Sequence, residues 1–250
     1  MVYKKVKPVR LAIPGYYDLV ARTPEDLFSN ELQFNAGNYD IAQKWGRKIF
    51  RGFDVHDPYQ IMAEHSDSPT LHLFNHQDLT DPVAIGSAYA QMGYAHPRYA
   101  AKAELFKESK PDRAAFIGSL GAYPVDRALL ERGNSAAVTR FMQMSRHILE
   151  VLEEPLLLFP GGHLHPGKDV GPISNGCLVI SRRAKKPIII AALMGTRLAL
   201  PRVAVVRRSV ATLYFHEMFM PEEKPTLEAV QASMQQAYDV ARDIHRSRET

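Results

Sequence analysis

The chain of 250 residues holds a single cysteine, Cys177, which excludes an intramolecular disulfide and any zinc site built on several cysteines. That usage suits a reducing compartment, and Cys177 reads as a small packed residue. No segment approaches the roughly 18 to 20 apolar residues that span a bilayer; the longest apolar stretch, Pro187 to Met194, is of strand length. Near the start, Lys4, Lys5, Lys7 and Arg10 are not followed by an apolar core of signal-peptide length before Pro14 and Gly15. Neither secretion nor membrane spanning is expected. The chain also lacks an internal repeat, a low-complexity linker and a recognisable nucleic-acid-binding motif.

What is present is an ordinary soluble composition, 46% hydrophobic and 23% charged, sufficient for one α/β domain. A formal charge of +4 and a pI near 9.1 favour acidic partners: phosphate groups, an anionic membrane surface or an acidic carrier protein. Basic residues cluster at Arg182, Arg183, Lys185 and Lys186, and again at Arg202, Arg207 and Arg208. Each cluster by itself reads as a solvated helix end or strand face.

The first sixty or so residues lack a clean strand period and carry a capping signal at Thr23, so residues 1–60 are expected to form a helical preface to a domain over 61–250. From Pro69 onward short apolar runs alternate with longer amphipathic stretches, the pattern of β-α units around a mostly parallel central sheet flanked by helices. Thr70 to Phe74 reads as a strand, and Asp81-Pro82 opens a helix to about Met92, proline being tolerated in a first turn. Ala115 to Val125 reads as strand, loop and strand, and Asn134 or Ser135 caps a helix to about Leu152. Pro155 leads into a buried strand, Leu156 to Phe159, followed by a glycine-containing loop from Gly161 to Gly171. A helix from Ser174 to Arg183, a strand from Ile188 to Leu193, one or two strands within Val203 to Phe215 and an amphipathic helix from Thr226 to His245 complete the expected order.

His76 leaves the end of a strand and Asp81 stands five residues later, at the start of the next helix. The tight loop between them can fold the carboxylate back onto the imidazole, at the carboxyl end of a sheet strand where open α/β sheets bind ligands. An imidazole held in one tautomer by a carboxylate is a general base suited to neutral pH. Two other chemistries find weaker support in the residues. A metal hydrolase would draw on His163 and His165 with His72 or His76 and Asp78 or Asp81, but no His-Glu-x-x-His or similar ligand set is present. A serine esterase needs a nucleophile elbow, and Ile117 stands where the first glycine before Ser119 would be, so Ser119 reads as a turn residue.

The block Asn75-His76-x-x-x-x-Asp81-Pro82, between an apolar strand and a helix, resembles the first motif of the glycerol-3-phosphate and 1-acylglycerol-3-phosphate acyltransferase superfamily. Further blocks stand in that family's order. Lys102-Ala103-Glu104-Leu105-Phe106 is similar to the segment after the first helix, and Gly121-Ala122-Tyr123-Pro124-Val125-Asp126-Arg127 to the second motif. Leu158-Phe159-Pro160-Gly161-Gly162 occupies the place of the third, and Lys186-Pro187-Ile188-Ile189-Ile190 that of the fourth. The resemblance covers roughly Pro69 to Thr196, about half the chain.

The resemblance implies an acyltransferase that moves a fatty acyl group from acyl-CoA or an acyl carrier protein to a hydroxyl of lysophosphatidic acid, with no cofactor beyond the donor. Glycerol-3-phosphate and other lysolipids are alternative acceptors, and an inactive module that binds lipid or carrier protein is the non-enzyme alternative. It implies His76 as base, Asp81 as its partner and Arg127 as the residue on the acceptor phosphate, with Gly121, Pro160, Gly161, Gly162 and His163 around the substrate. It also implies work at the cytoplasmic face of an anionic membrane as a peripheral protein, without nucleic acid. The third motif departs from the family's usual form, in which glutamate, glycine, threonine and arginine follow phenylalanine and proline; here Gly161, Gly162, His163 and Leu164 follow. The departure bears on the acceptor more than on the reaction.

Overall fold

Seven strands, β1 (Phe50–His56), β2 (Leu71–Leu73), β3 (Arg98–Lys102), β4 (Ala122–Val125), β5 (Leu156–Leu158), β6 (Ile188–Met194) and β7 (Ser209–Phe219), form one sheet in the order β1-β7-β6-β2-β5-β3-β4. The computed structural model describes residues 39–65, 68–106, 116–118, 120–165, 169–196 and 209–248. The helix expected from Thr23, the basic residues at the N-terminus, Ser119, the cluster of Arg202, Arg207 and Arg208, and the strand expected to begin at Val203 lie outside the described residues. All neighbours in the sheet are parallel except β6 and β7, which are antiparallel. The mostly parallel α/β sheet expected from the sequence is thus present.

Apart from His72 on β2, the central strands are apolar on both faces, as suits parallel strands buried under helices. Leu71, Leu73, Leu156, Ile188 and Ile190 are buried, and they pair in register across β6, β2 and β5. The flanking helices are α1 (Tyr39–Ile49), α2 (Ile61–His65), α3 (Asp81–Met92), α4 (Arg127–Glu131), α5 (Ser135–Glu150), α6 (Gly176–Ala184) and α7 (Leu227–Arg246). Caps fix their starts: Asn134 accepts from the Ala137 amide at the head of α5, and Thr226 accepts from the Ala229 amide at the head of α7. Helix α7 packs on β6 and β7, and α1 packs on α3.

Three expectations need correction. Residues 50–56, assigned to the helical preface, form edge strand β1 of the main sheet, paired with β7. Its apolar alternation is hidden by Gly52, where the register shifts. Strand β3 was not anticipated, because Arg98-Tyr99-Ala100-Ala101-Lys102 has no β-branched residue and only Tyr99 and Ala101 buried. The first part of the expected strand from Ala115 is helical at 116–118.

Candidate active site

The backbone after β2 is held to both neighbouring strands. The Phe74 amide continues the ladder to Leu158 O at 3.1 Å. The Asn75 side chain then acts as a surrogate strand residue: its Nδ2 donates to Leu193 O at 2.9 Å and its Oδ1 accepts from Leu193 N at 2.7 Å. The loop that follows is closed by Asp78, whose Oδ1 accepts from both the amide and the hydroxyl of Thr80 at 2.9 Å. Asp81 begins α3, followed by Pro82, and a carboxylate in a first turn is favoured by the helix dipole.

These constraints bring His76 and Asp81 together. The His76 Nδ1–H donates to Asp81 Oδ2 at 2.8 Å, and the same oxygen accepts from the Gln77 and Asp78 amides at 2.7 and 3.0 Å. Asp81 is fully buried, and its Oδ1 has no hydrogen-bond partner. Three donors converging on Oδ2 fix the carboxylate, which in turn fixes the ring. With Nδ1 committed, Nε2 is the nitrogen left for chemistry. The His76 side chain is 18% exposed, and its ring stacks on Phe159 with centroids 4.1 Å apart and planes 15° from parallel. The His165 amide donates to His76 O at 2.6 Å, tying the loop after β5 to the loop after β2.

The second part of the site follows β4 and β5 at the same edge of the sheet. Asp126 caps α4 by accepting from the Leu129 amide, which sets Arg127 at the first helical position. The Arg127 Nε donates to Glu131 Oε1 at 2.6 Å, while its Nη2 is buried with no partner. That nitrogen lies beside the loop after β5: a Cβ built on Gly162 would sit 3.8 Å from it. Gly162 has a left-handed φ of 66°, which favours glycine, and its amide donates to Phe159 O at 2.8 Å, so that amide closes a turn. His163, mostly exposed, places Nε2 3.3 Å from the same Glu131 oxygen. Glu131 therefore joins Arg127 and His163. It was missed in the sequence, where its position four residues after Arg127 on a helix was the available signal.

The remaining expected site residues make contacts within the fold. Pro160 offers its carbonyl to the Ser174 amide at 3.0 Å, and Gly161 allows close approach to Pro172 O, which a built Cβ would meet at 3.2 Å. Gly121 lies at the amino end of β4, so the strand separates it from Arg127 by roughly 13 Å. Its φ of 86° and the Pro97 carbonyl, 3.0 Å from a built Cβ, account for the glycine at the edge opposite Arg127. The basic residues Arg182 and Lys185 stand at the carboxyl end of α6, before the amino end of β6, on the edge opposite His76. His72 is core: it bonds Thr70 and Tyr89, and burial pushes its imidazole down to about 3. His165 pairs with Asp169 at 2.8 Å. Among the described residues no three His, Cys, Asp or Glu side chains are grouped so as to hold a metal ion.

An imidazole held in one tautomer, with a guanidinium beside a glycine turn at the same sheet edge, has the chemistry to take a proton from a hydroxyl. A family model described as Acyltransferase matches residues 53–194, more than half of the chain, and the chain belongs to that family. A solved structure of similar fold is the 1-acyl-sn-glycerophosphate (LPA) acyltransferase PlsC from Thermotoga maritima. The TM-score is 0.58 at 20% identity, over 82% of this chain and 79% of that one. No curated protein sequence matches at a significant level. No helix among the described residues is long and apolar enough to cross a membrane.

Proposed function

We propose that this acyltransferase moves a fatty acyl group from an acyl thioester to a free hydroxyl of lysophosphatidic acid, with His76 as general base and Asp81 as the residue that orients it. The observation that carries the reading is the bond from His76 Nδ1 to the buried Asp81 Oδ2. It presents Nε2 as an acceptor. The hydroxyl oxygen attacks the thioester carbonyl as its proton passes to His76 Nε2. The tetrahedral adduct then collapses, the carbon–sulfur bond breaks, and the thiolate recovers the proton from the imidazolium. Asp81 supports the transient cation without taking the proton.

Arg127 is assigned to the acceptor phosphate. Its Nη2 is buried, unpartnered and next to Gly162, and a guanidinium suits phosphate oxygens. The fold likeness to a protein described as acting on lysophosphatidic acid supports the same acceptor. Acyl-CoA or an acyl carrier protein supplies the thioester, and a net charge of +4 suits contact with an anionic, cytoplasmic membrane surface. Glu131 supports a second reading: a carboxylate between Arg127 and His163 repels phosphate, which favours a phosphate-free lysolipid. The test crosses both donors with lysophosphatidic acid, glycerol-3-phosphate and a phosphate-free lysolipid, in wild type and His76→Ala. Fastest transfer to lysophosphatidic acid, abolished by the substitution, is expected. A phosphate-free acceptor that wins removes the role given to Arg127, and activity that survives His76→Ala removes the mechanism.

A further inference from the structure

Helix α7 lies beyond the residues matched by the family model, yet one of its faces carries three side chains that reach the loops around His76. Gln231, Gln235 and Tyr238 are spaced by four and three residues, so they line one stripe of the helix. The Tyr238 hydroxyl accepts from Gln77 Nε2 at 3.2 Å, across 161 residues of sequence. Gln77 adjoins His76, and its own amide is one of the donors to Asp81 Oδ2. Tyr238 and Gln77 are both buried, where losing a hydrogen bond is costly.

The two glutamines hold the other side. Gln231 donates to Gly171 O at 2.8 Å and accepts from the Ile173 amide at 3.0 Å, and Gln235 accepts from the Val170 amide at 3.2 Å. This segment seats the turn after β5, because the Ser174 amide bonds Pro160 O and Gly161 packs on Pro172 O. Phe159, at the start of that turn, stacks on the His76 ring. Two routes thus run from α7 to one imidazole, one through Gln77 and Asp81, the other through the Pro160 turn and Phe159.

We infer that α7 is a positioning element of the active site, in which the Tyr238 hydroxyl and the Gln231 amide set the place of the His76 ring. The inference rests on His76 being the base, and its test has a readout that needs no substrate. In protein labelled with ¹⁵N-histidine, the Nδ1 proton of His76 is assigned by its loss in His76→Gln, then followed in Tyr238→Phe and Gln231→Ala. Gln236→Ala serves as control, since Gln236 on the same helix bonds His216 of β7 and, among the described residues, none of the loops around His76.

Each of the first two substitutions is expected to shift or broaden that resonance and to lower kcat about fivefold with KM little changed. Because both act through one ring, the double variant should lose less than the product of the two. The control should change neither reading. An unmoved resonance and wild-type kcat in both Tyr238→Phe and Gln231→Ala, whatever their melting temperatures, would overturn the inference. Should wild type transfer no acyl group, the resonance alone decides: movement supports the positioning role while the proposed reaction falls.

Discussion

Two halves of the same sheet edge are built on opposite plans. After β2, the His76 and Asp81 pair is closed: three donors meet one buried carboxylate oxygen, and the ring is stacked on Phe159. After β4 and β5, the Arg127 half is open: one guanidinium nitrogen has no partner, His163 faces solvent, and Glu131 offsets part of the positive charge. The closed half suits a group whose orientation must not change during a reaction. The open half suits binding of something that comes and goes.

The largest expected break of this contrast is His76→Ala, which should lower kcat by about three orders of magnitude, the range of a lost general base, with little change in melting temperature. Asp81→Ala should cost both activity and stability. It strands the buried Gln77 amide and the half-buried Asp78 amide, at roughly 2 to 4 kcal/mol together, read by urea unfolding. His76→Ala strands no buried donor, so equal destabilisation by the two would show that the pair is a structural unit only.

Smaller effects are expected on the open side. Arg127→Ala should raise the KM for a phosphate-bearing acceptor by about tenfold and leave kcat near wild type. Glu131→Gln should lower the same KM about two- to threefold by removing the competing charge, and a raised KM would favour the phosphate-free acceptor.

The closed half was legible in the sequence because its parts are local. Asn75 to Pro82 is one strand-to-helix loop, and the helix expected from Asp81 to about Met92 is α3 as found. Asn134 and Thr226 likewise announced α5 and α7 through side chains that cap nearby amides. Strand β1 was not legible, since Gly52 breaks the alternation that Phe53 and Val55 would otherwise show. Gly121 was placed in the site because a motif glycine reads alike whether it approaches a ligand or, as here, a backbone carbonyl. Gln231 and Tyr238 carried no signal, because their partners lie about 60 residues or more away in sequence. An amphipathic helix hides which of its polar residues bond a loop.

A separate expected effect, on stability alone, concerns the strand beneath the site. His72 is buried and neutral, with its imidazole pushed down to about 3, whereas the unfolded chain takes up that proton near 6.5. Between those values the unfolded state binds more protons, so stability contributed by the neutral ring is full above about 6.5 and declines as pH falls toward 3. Urea unfolding from pH 7 to 4 should show that slope, and His72→Gln should flatten it; an unchanged slope would place the acid sensitivity elsewhere, with His96, held near 4 by burial, the next group to substitute.

The division of labour between the two halves is tested most directly by kcat at saturating donor and acceptor in His76→Ala and Arg127→Ala, each with its melting temperature. The account predicts a kcat lower by about a thousandfold in the first and within about threefold of wild type in the second. Comparable losses of kcat in both, or none in His76→Ala, would contradict it.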